Sequence, residues 1–174
     1  AFAPTDSLSE WRWTTQFNRQ GEQMVQVYPM KRERFQMPVA VHLFLIRDGQ
    51  VLLLQRANTG FEDGNYSVIS GHLDGGELII QAMIRETREE AAIEIEPADL
   101  SVVGVIHERD AVDEYIDFFL VARRWQGEIR NLEPHKCSDL AWFPLDQLPP
   151  NVIPYVRRAL ANYQRGVWFD SVGW

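Results

Sequence analysis

The chain has 174 residues, a length at which one hydrophobic core is normal, so a second full domain is not expected. Its hydrophobic content of 45% and charged content of 24% are typical of a globular protein, which excludes disordered, collagen-like and coiled-coil chains. The 25 acidic against 17 basic residues give a formal net charge of −8, the wrong sign for a broad nucleic-acid surface. An acidic protein can still act on a phosphate substrate if a metal ion supplies the positive charge.

Cysteine content and apolar runs bear on the cellular setting. Cys137 is the only cysteine, which excludes an intramolecular disulfide and a zinc site built from several cysteines. The first residues have neither the basic nor the apolar part of a signal peptide, and the apolar runs are too short to span a bilayer. We therefore expect a cytoplasmic protein with no membrane partner and no nucleic-acid partner.

Residues 1–35 are polar and mixed in charge, and they predict an extension with one strand near residues 24–28. Two tryptophans of this extension, Trp11 and Trp13, have two interpretations: they pack on the core, or they contact a dimer partner or a ligand.

From residue 37 onward the pattern alternates between strands and helices. Residues 38–47 and 51–55 predict a hairpin around the turn at Asp48 and Gly49, and residues 58–65 predict a loop. Further strands are predicted at 66–70, 100–107, 115–123 and 140–143, and helices at 78–91 and 154–164. Strands interleaved with two helices predict an α/β or α+β sandwich with a mixed sheet.

The helix over residues 78–91 gathers carboxylates on one face. At 100° per residue, Glu86, Glu89 and Glu90 share a face, whereas an apolar stripe forms elsewhere from Ile80, Ile84, Thr87 and Ala91. Like charges four residues apart weaken a helix by a few tenths of a kcal/mol, so helix stability does not explain this pattern. Oxygen ligands suit Mg²⁺ or Mn²⁺. The alternative is a solvated face on which Arg85 pairs with Glu89.

The charge of the surrounding segment favours the metal interpretation. Residues 71–96 contain seven acidic and two basic residues, which is five of the eight net negative charges of the chain. The acidity is therefore local, as expected of a cation site.

The same segment resembles the signature of the Nudix hydrolases, G-x5-E-x7-R-E-U-x-E-E-x-G-U, where U is a bulky aliphatic residue. The first glycine, the glutamate and the arginine positions of that signature are matched by Gly71, Glu77, Arg85, Glu86, Glu89 and Glu90. Two positions depart from it, since Thr87 replaces an aliphatic residue and Ala92 replaces a glycine. We expect the Thr87 hydroxyl to bond back to the helix, and Ala92 to be strained if the helix ends in a left-handed residue.

The resemblance implies a fold class, a domain division and an activity. The fold is an α/β (α+β) class, Nudix-type α/β/α sandwich with a mixed β-sheet between helices. The hydrolase domain covers residues 36–165, with an N-terminal extension at 1–35 and a C-terminal tail at 166–174. The activity is Mg²⁺-dependent hydrolysis, with Mn²⁺ as a substitute, of the pyrophosphate bond in a small-molecule nucleotide, a nucleoside diphosphate linked to another group. The resemblance leaves the oligomeric state open, with a homodimer as one alternative because dimers are frequent in the family.

The resemblance also implies roles for the matched residues. The metal group consists of Gly71, Glu86, Glu89 and Glu90. Among the catalytic residues, Glu86 is the first choice for general base, with a loop carboxylate as the alternative. Glu77 supports the metal or its waters, and Arg85 orients a catalytic glutamate.

Two candidates outside the signature come from the same resemblance. Glu133 is predicted to complete the metal site, and the alternative for Glu133 is an exposed surface residue. Competing carboxylates lie in the acidic loop, at Glu108, Asp110, Asp113 and Glu114. Asn151 is interpreted either as a base-reading side chain or, preferably, as the cap of the following helix.

Two functions follow. The first is a hydrolase of nucleoside triphosphates, nucleotide sugars, ADP-ribose or dinucleotides. The alternative is a catalytically silent Nudix-fold module that binds a nucleotide or has a regulatory role. The complete set of carboxylates favours the enzyme, while the substrate is not determined by the signature.

Overall fold

The described strands of the chain form two sheets. In the computed structural model, residues 11–17, 22–29, 35–110 and 112–174 are described, with only the backbone of 11–17 and 23–29. The chain divides into two units, residues 1–36 and residues 37–174.

The first unit contains an antiparallel hairpin of β1 (Trp11–Phe17) and β2 (Gln23–Pro29). The prediction of one strand here was incomplete, because β2 covers residues 24–28 and β1 adds a second strand. The predicted contacts of Trp11 and Trp13 lie outside the described residues, since their side chains are not described.

The second unit contains one mixed sheet of eight strands. These strands are β3 (Val39–Arg47), β4 (Gln50–Arg56), β5 (Tyr66–Ser67), β6 (Ile69–His72), β7 (Leu100–Arg109), β8 (Glu114–Ala122), β9 (Cys137–Pro144) and β10 (Phe169–Val172). The helices are α1 (Ile79–Ala91) and α2 (Pro154–Arg165), and a short 3₁₀ turn, Pro97–Asp99, precedes β7.

The sheet is mixed because two of its pairings are parallel. β3 pairs with β8 and β10 pairs with β7 in parallel register, whereas β7 and β8 pair antiparallel. β3 also pairs with β6, and β4 pairs with β5 and β9, all antiparallel. The predicted hairpin is present, but β3 and β4 pair over only two residue pairs, since each strand continues with other partners.

Each helix covers one face of this sheet. Alternate residues of β3 point to opposite faces, so that Val41, Leu43 and Leu45 pack in one core cluster with α1. Phe44 and Ile46 pack in the other cluster with α2. Burial on both faces explains why residues 38–47 form a nearly continuous apolar run. The predicted class, an α+β sandwich with a mixed sheet, is confirmed.

The C-terminal residues contain a strand that the sequence did not indicate. β10 lies at the edge of the sheet beside β7. Its Asp170 carboxylate accepts hydrogen bonds from Arg158 and Asn162 of α2, at 2.6–2.8 Å. Among the described residues, no helix combines the length and apolar character that crossing a bilayer needs.

Candidate active site

A cavity of about 730 Å³ opens where several strands begin or end. Its walls include the first residues of β3, the loop after β4, the end of β6, the end of β7 and the start of β9. Glu90 of α1 and Tyr155 of α2 line it from the helical layers. The cavity is large enough for a nucleotide-sized ligand.

Gly71 and Glu86 are in direct contact at the edge of this cavity. Glu86 is only 8% exposed, and a Cβ atom added at Gly71 would overlap its carboxylate. A glycine is therefore needed at position 71 because any side chain would displace Glu86. Burial raises the pKa of Glu86 above its ordinary value, although the neighbouring Arg85 opposes that shift.

Arg85 joins the loop before α1 to the helix. Its guanidinium donates to both carboxylate oxygens of Glu77, at 2.9 and 3.4 Å, and to Glu86 Oε1 at 2.5 Å. It also donates to the His72 carbonyl at 3.0 Å. Because Arg85 holds Glu77 and Glu86 together, its geometry suits the orienting role predicted for it. The hydrogen bond from Arg85 lowers the pKa of the Glu77 carboxylate.

Glu90 lies one turn after Glu86 on the same helix. Its Oε2 accepts from the Ser70 backbone N–H at 3.3 Å. Burial, followed by the negative charge of Glu86, raises the pKa of Glu90 to about 8. The negative charge of Glu133 acts in the same direction, which places Glu133 next to Glu90 rather than on a distant surface.

Glu133 is half-buried, lines the cavity and accepts from Lys136 Nζ at 2.7 Å. Among its competitors, Glu108 and Asp110 line the cavity, whereas Asp113 and Glu114 do not belong to the lining residues. Glu133 is thus the candidate outside the signature whose charge reaches Glu90.

Glu89 lies apart from the cavity. Its side chain is 55% exposed and lies 3.5 Å from Arg85, which is the i,i+4 pair of the solvated-face interpretation. The structure therefore brings Gly71, Glu86, Glu90 and Glu133 together and leaves Glu89 at the surface.

The carboxylates of the site provide oxygen ligands of the kind that a hard cation prefers. Within the described ranges, no three His, Cys, Asp or Glu side chains are already arranged around one metal position. Instead, two of the carboxylates contact positive side chains, Glu86 with Arg85 and Glu133 with Lys136. Mg²⁺ usually needs only one or two carboxylates, because waters and substrate phosphates complete its coordination. Desolvated carboxylates that repel one another fit such an ion chemically, because its charge would relieve their repulsion.

Two residues that depart from the signature behave as expected. Thr87 is fully buried, and its hydroxyl donates to the Ile84 carbonyl at 2.8 Å. Ala92 ends α1 in the left-handed region, with φ 59° and ψ 27°.

The helix-cap interpretation of Asn151 is wrong. α2 begins after Ile153 with no side-chain cap, and the Asn151 amide donates instead to the Gly64 carbonyl at 2.8 Å. Pro154 occupies the first position of α2, so the cap position falls on Ile153 and Asn151 lies two residues before it. Asn151 instead joins the loop over residues 58–65 to the segment before α2.

The comparison with protein families settles which group of proteins this chain joins. The family model described as the NUDIX domain matches residues 36–163. The chain belongs to the Nudix family. The family predicted from the signature is therefore confirmed.

Solved structures agree with this assignment. The chain is similar to a MutT NUDIX hydrolase from Burkholderia pseudomallei, with 30% identity, a TM-score of 0.68, and 73% of this chain and 98% of that chain covered. A MutT protein from Methanosarcina mazei Go1, 16% identical with a TM-score of 0.65, covers 76% of this chain and 97% of its own and shows the fold alone.

Curated relatives are hydrolases or phosphatases by name. The chain is 33% identical over 108 residues to the NAD-capped RNA hydrolase NudC of Pseudomonas aeruginosa, covering 62% of this chain and 37% of the relative. It is 29% identical over 113 residues to the human 8-oxo-dGDP phosphatase NUDT18, covering 64% and 33%. The chain thus spans about a third of the length of these two Nudix relatives. At the level of the family, the predicted class, a hydrolase of phosphoanhydride bonds, is confirmed.

Sequence reasoning found only one of the polar residues on the sheet side of the cavity. His42, Glu108, Asp117 and Tyr155 line it from β3, β7, β8 and α2. That residue is Glu108, which was a candidate for the metal site. Asp117 and Tyr155 lie in ordinary strand and helix patterns, so no local signal marks them.

Proposed function

We propose that this chain hydrolyses the pyrophosphate bond of a nucleoside diphosphate linked to a second group, with Mg²⁺ or Mn²⁺ as the cofactor. The observation that carries the proposal is the contact set of the signature residues. Gly71 admits the Glu86 carboxylate, Arg85 holds it beside Glu77, and Glu90 and Glu133 lie within electrostatic reach of each other.

The residues proposed to hold the cation are Glu86, Glu90, Glu133 and the backbone of Gly71, with Glu89 as a more exposed contributor. When bound, the cation supplies neutralising charge to the phosphates and lowers the pKa of an attacking water. Mg²⁺ and Mn²⁺ are both hard enough for this set of oxygen ligands.

The protein side of the reaction consists of positioning and proton transfer. Glu86, buried and with a raised pKa, is the proposed general base that takes the proton of the attacking water. Arg85 is a positioning residue, because its hydrogen bonds to Glu77 and Glu86 hold the base in one orientation. Arg56 and Lys136 line the cavity and provide positive charge for the substrate phosphates.

Several groups are candidates for the second group that is linked to the nucleoside diphosphate. The relatives named NAD-capped RNA hydrolase and 8-oxo-dGDP phosphatase support dinucleotide and nucleoside diphosphate substrates alike. Because some relatives are named NAD-capped RNA hydrolases, the exclusion of nucleic acid stays a prediction. The homodimer and the cytoplasmic setting stay predictions too.

A substrate panel with Mg²⁺ tests the proposal. Nucleoside triphosphates, nucleotide sugars, ADP-ribose and dinucleotides are incubated with the wild-type chain, with Glu90→Gln and with Glu96→Gln. Glu96 is an exposed carboxylate outside the site and serves as the matched control. We expect cleavage of at least one class, a loss of about 100-fold or more in Glu90→Gln, and no loss in Glu96→Gln.

Two outcomes would contradict the proposal. Full activity of Glu90→Gln would show that the metal assignment is wrong. Binding of nucleotides without cleavage of any of them would favour the silent binding module.

A further inference from the structure

The loop over residues 58–65 is built around one side chain of the cavity wall, that of Arg56. Arg56 is the last residue of β4 and follows a register shift in the pairing of β4 with β9, an irregularity that can re-aim a side chain. Its backbone N–H donates to the Asn65 carbonyl at 2.9 Å, and its carbonyl accepts from the Gly64 N–H at 2.8 Å. The loop therefore begins and ends beside Arg56.

The loop is also attached to the segment that carries Glu133, a proposed metal ligand. The Ala57 N–H donates to the Lys136 carbonyl at 2.8 Å, and the Asn58 amide donates to the His135 carbonyl at 3.1 Å. This attachment keeps the loop beside the position where substrate phosphates would meet the cation.

The guanidinium of Arg56 is bonded to the loop through one edge. Its Nε donates to the Phe61 carbonyl at 2.8 Å, and its Nη2 donates to Thr59 Oγ1 at 3.1 Å. Its Cζ also lies 5.3 Å from the centroid of the Phe61 ring, within cation–π distance. In the described part of the chain, the two N–H groups of Nη1 have no hydrogen-bond partner, and Arg56 lines the cavity. The side chain is thus held in place and still has donors for an anion.

Asp63 organises the residues that hold Arg56, although it does not belong to the residues that line the cavity. Its Oδ1 accepts from the Thr59 backbone N–H at 3.0 Å and from the Thr59 hydroxyl at 2.7 Å. Its Oδ2 accepts from the Gly60 N–H at 3.0 Å. The Thr59 hydroxyl, followed by these two backbone groups, lowers the pKa of Asp63, which is therefore a carboxylate at neutral pH.

The Asp63 carboxylate also fixes the direction of the Thr59 hydroxyl. A hydroxyl has one hydrogen to donate, and the charged carboxylate is a closer and stronger acceptor than the Phe61 carbonyl, which lies 2.9 Å away. With that hydrogen directed to Asp63, a lone pair of Thr59 Oγ1 is left to accept from Arg56 Nη2.

We propose that Asp63 is a positioning residue for phosphate binding, which acts through Thr59 to hold the Arg56 guanidinium in the orientation that contacts a phosphate of the substrate. The inference rests on the proposed function, in which Arg56 provides positive charge for the substrate phosphates. Immobilising one long side chain on binding reduces affinity about two- to tenfold. A guanidinium that the loop already holds avoids that loss.

The alternative is that Asp63 stabilises the loop without any effect on Arg56. The two roles differ in a double-mutant cycle, because a positioning role requires Arg56 and a structural role does not.

Binding of methylenediphosphonate tests the inference. This diphosphate analogue has carbon in place of the bridging oxygen, so its binding is measured whether or not the chain hydrolyses anhydrides. It is titrated calorimetrically into the full chain with Mg²⁺ present. We expect Arg56→Met to weaken binding about tenfold and Asp63→Asn about fivefold. Adding Asp63→Asn to Arg56→Met should change the affinity less than about twofold.

A matched control and a rescue assign the effect to this contact chain. Glu62 is the neighbouring carboxylate of the same loop, but it accepts from the Asn65 amide at 2.5 Å and not from the residues that hold Arg56. Glu62→Gln should therefore bind the analogue as the wild type does. Thr59→Val, which lacks the hydroxyl, should lose about fivefold, and Thr59→Ser should recover that loss.

Asp63 is exposed, so its substitution leaves the core intact, and circular dichroism with the melting temperature verifies the folding of each variant. An unchanged affinity in Asp63→Asn, or the same fivefold loss with and without Arg56, would overturn the inference. So would the absence of measurable binding to the wild type. If the variants behave as expected but no nucleotide is cleaved, the proposed hydrolysis fails and the positioning role of Asp63 stands.

Discussion

At the scale of single residues, the need for glycine at position 71 comes from its contact with Glu86. Its position is set by pairing of β6 with β3, where Gly71 lies opposite Val41, and the Glu86 carboxylate fills the space a side chain would take. The glycine is thus needed for the close approach of a functional carboxylate and not for an unusual backbone conformation.

Gly71→Ala is predicted to impair hydrolysis with little effect on folding. The added methyl group would push the Glu86 carboxylate away from its position, and a displacement of about 1 Å at a reacting group can reduce the rate about 100-fold. The measurement is kcat/KM for the substrate found in the panel, with circular dichroism to verify the fold.

Gly104→Ala is the matched control. A Cβ atom at Gly104 would lie 3.7 Å from the Trp168 carbonyl oxygen, an ordinary contact, so activity should be unchanged. If Gly71→Ala retained the wild-type kcat/KM, the position of Glu86 would not matter for the reaction.

At the scale of elements, α1 ends in a strained residue. Ala92 has φ 59°, and its backbone N–H donates to the Thr87 carbonyl in the turn that closes the helix. A left-handed conformation costs a residue with a Cβ atom about 1–2 kcal/mol, which is why glycine is common at this position.

Ala92→Gly is therefore predicted to stabilise the protein by about 1 kcal/mol, which corresponds to about 2–4 °C in melting temperature for a chain of this size. Ala161→Gly, inside α2, should have the opposite effect, because glycine in a helix interior costs about 1 kcal/mol. Thermal unfolding followed by circular dichroism measures both. A lower melting temperature for Ala92→Gly would show that the methyl group contributes more by packing than the strain costs.

The elements that were predicted from the sequence depend on local signals. α1 lies in a stretch without glycine or proline, and the β3–β4 turn carries the Asp48–Gly49 pair. Partners distant in sequence could not be predicted in this way: β10 has four residues and finds its place only by pairing with β7. The same reason applies to the site. Gly71, Glu86 and Glu90 could be predicted because they lie in one segment with a fixed spacing. His42 and Asp117 are 75 positions apart, and only the parallel pairing of β3 and β8 brings them together.

At the scale of the whole second unit, the two core clusters explain where the candidate active site lies. Each helix packs on one sheet face, so the apolar residues are used for packing and the polar groups collect where strands β3, β6, β7 and β8 meet the cavity. Carboxylates from three segments line the cavity: Glu90 from α1, Glu108 from β7 and Glu133 from the segment before β9. Burial and neighbouring negative charges raise the pKa values of Glu90 and Glu108, so the ionisation of these two groups opposes folding.

This convergence predicts that the stability of the metal-free protein falls as the pH rises from 5.5 to 8.5. The pKa is raised to about 8 for Glu90 and to about 7 for Glu108, and it is also raised for Glu86. In the unfolded chain these groups titrate near 4.3, so between that value and about 8 the folded state binds more protons and loses stability with increasing pH. Carboxylates with lowered pKa values, such as Asp170 and Glu77, lose their contribution only at more acidic pH.

Melting temperatures in EDTA across this pH range measure the effect. The wild-type and Glu96→Gln curves should decline together, whereas Glu90→Gln should decline less and melt at a higher temperature than the wild type at pH 8.5. Adding Mg²⁺ at pH 8.5 should restore stability to the wild type more than to Glu90→Gln, because the cation compensates the charge that the variant lacks. A wild-type melting temperature that rises from pH 5.5 to 8.5 in EDTA would show that these carboxylates are already ionised without cost in the folded protein.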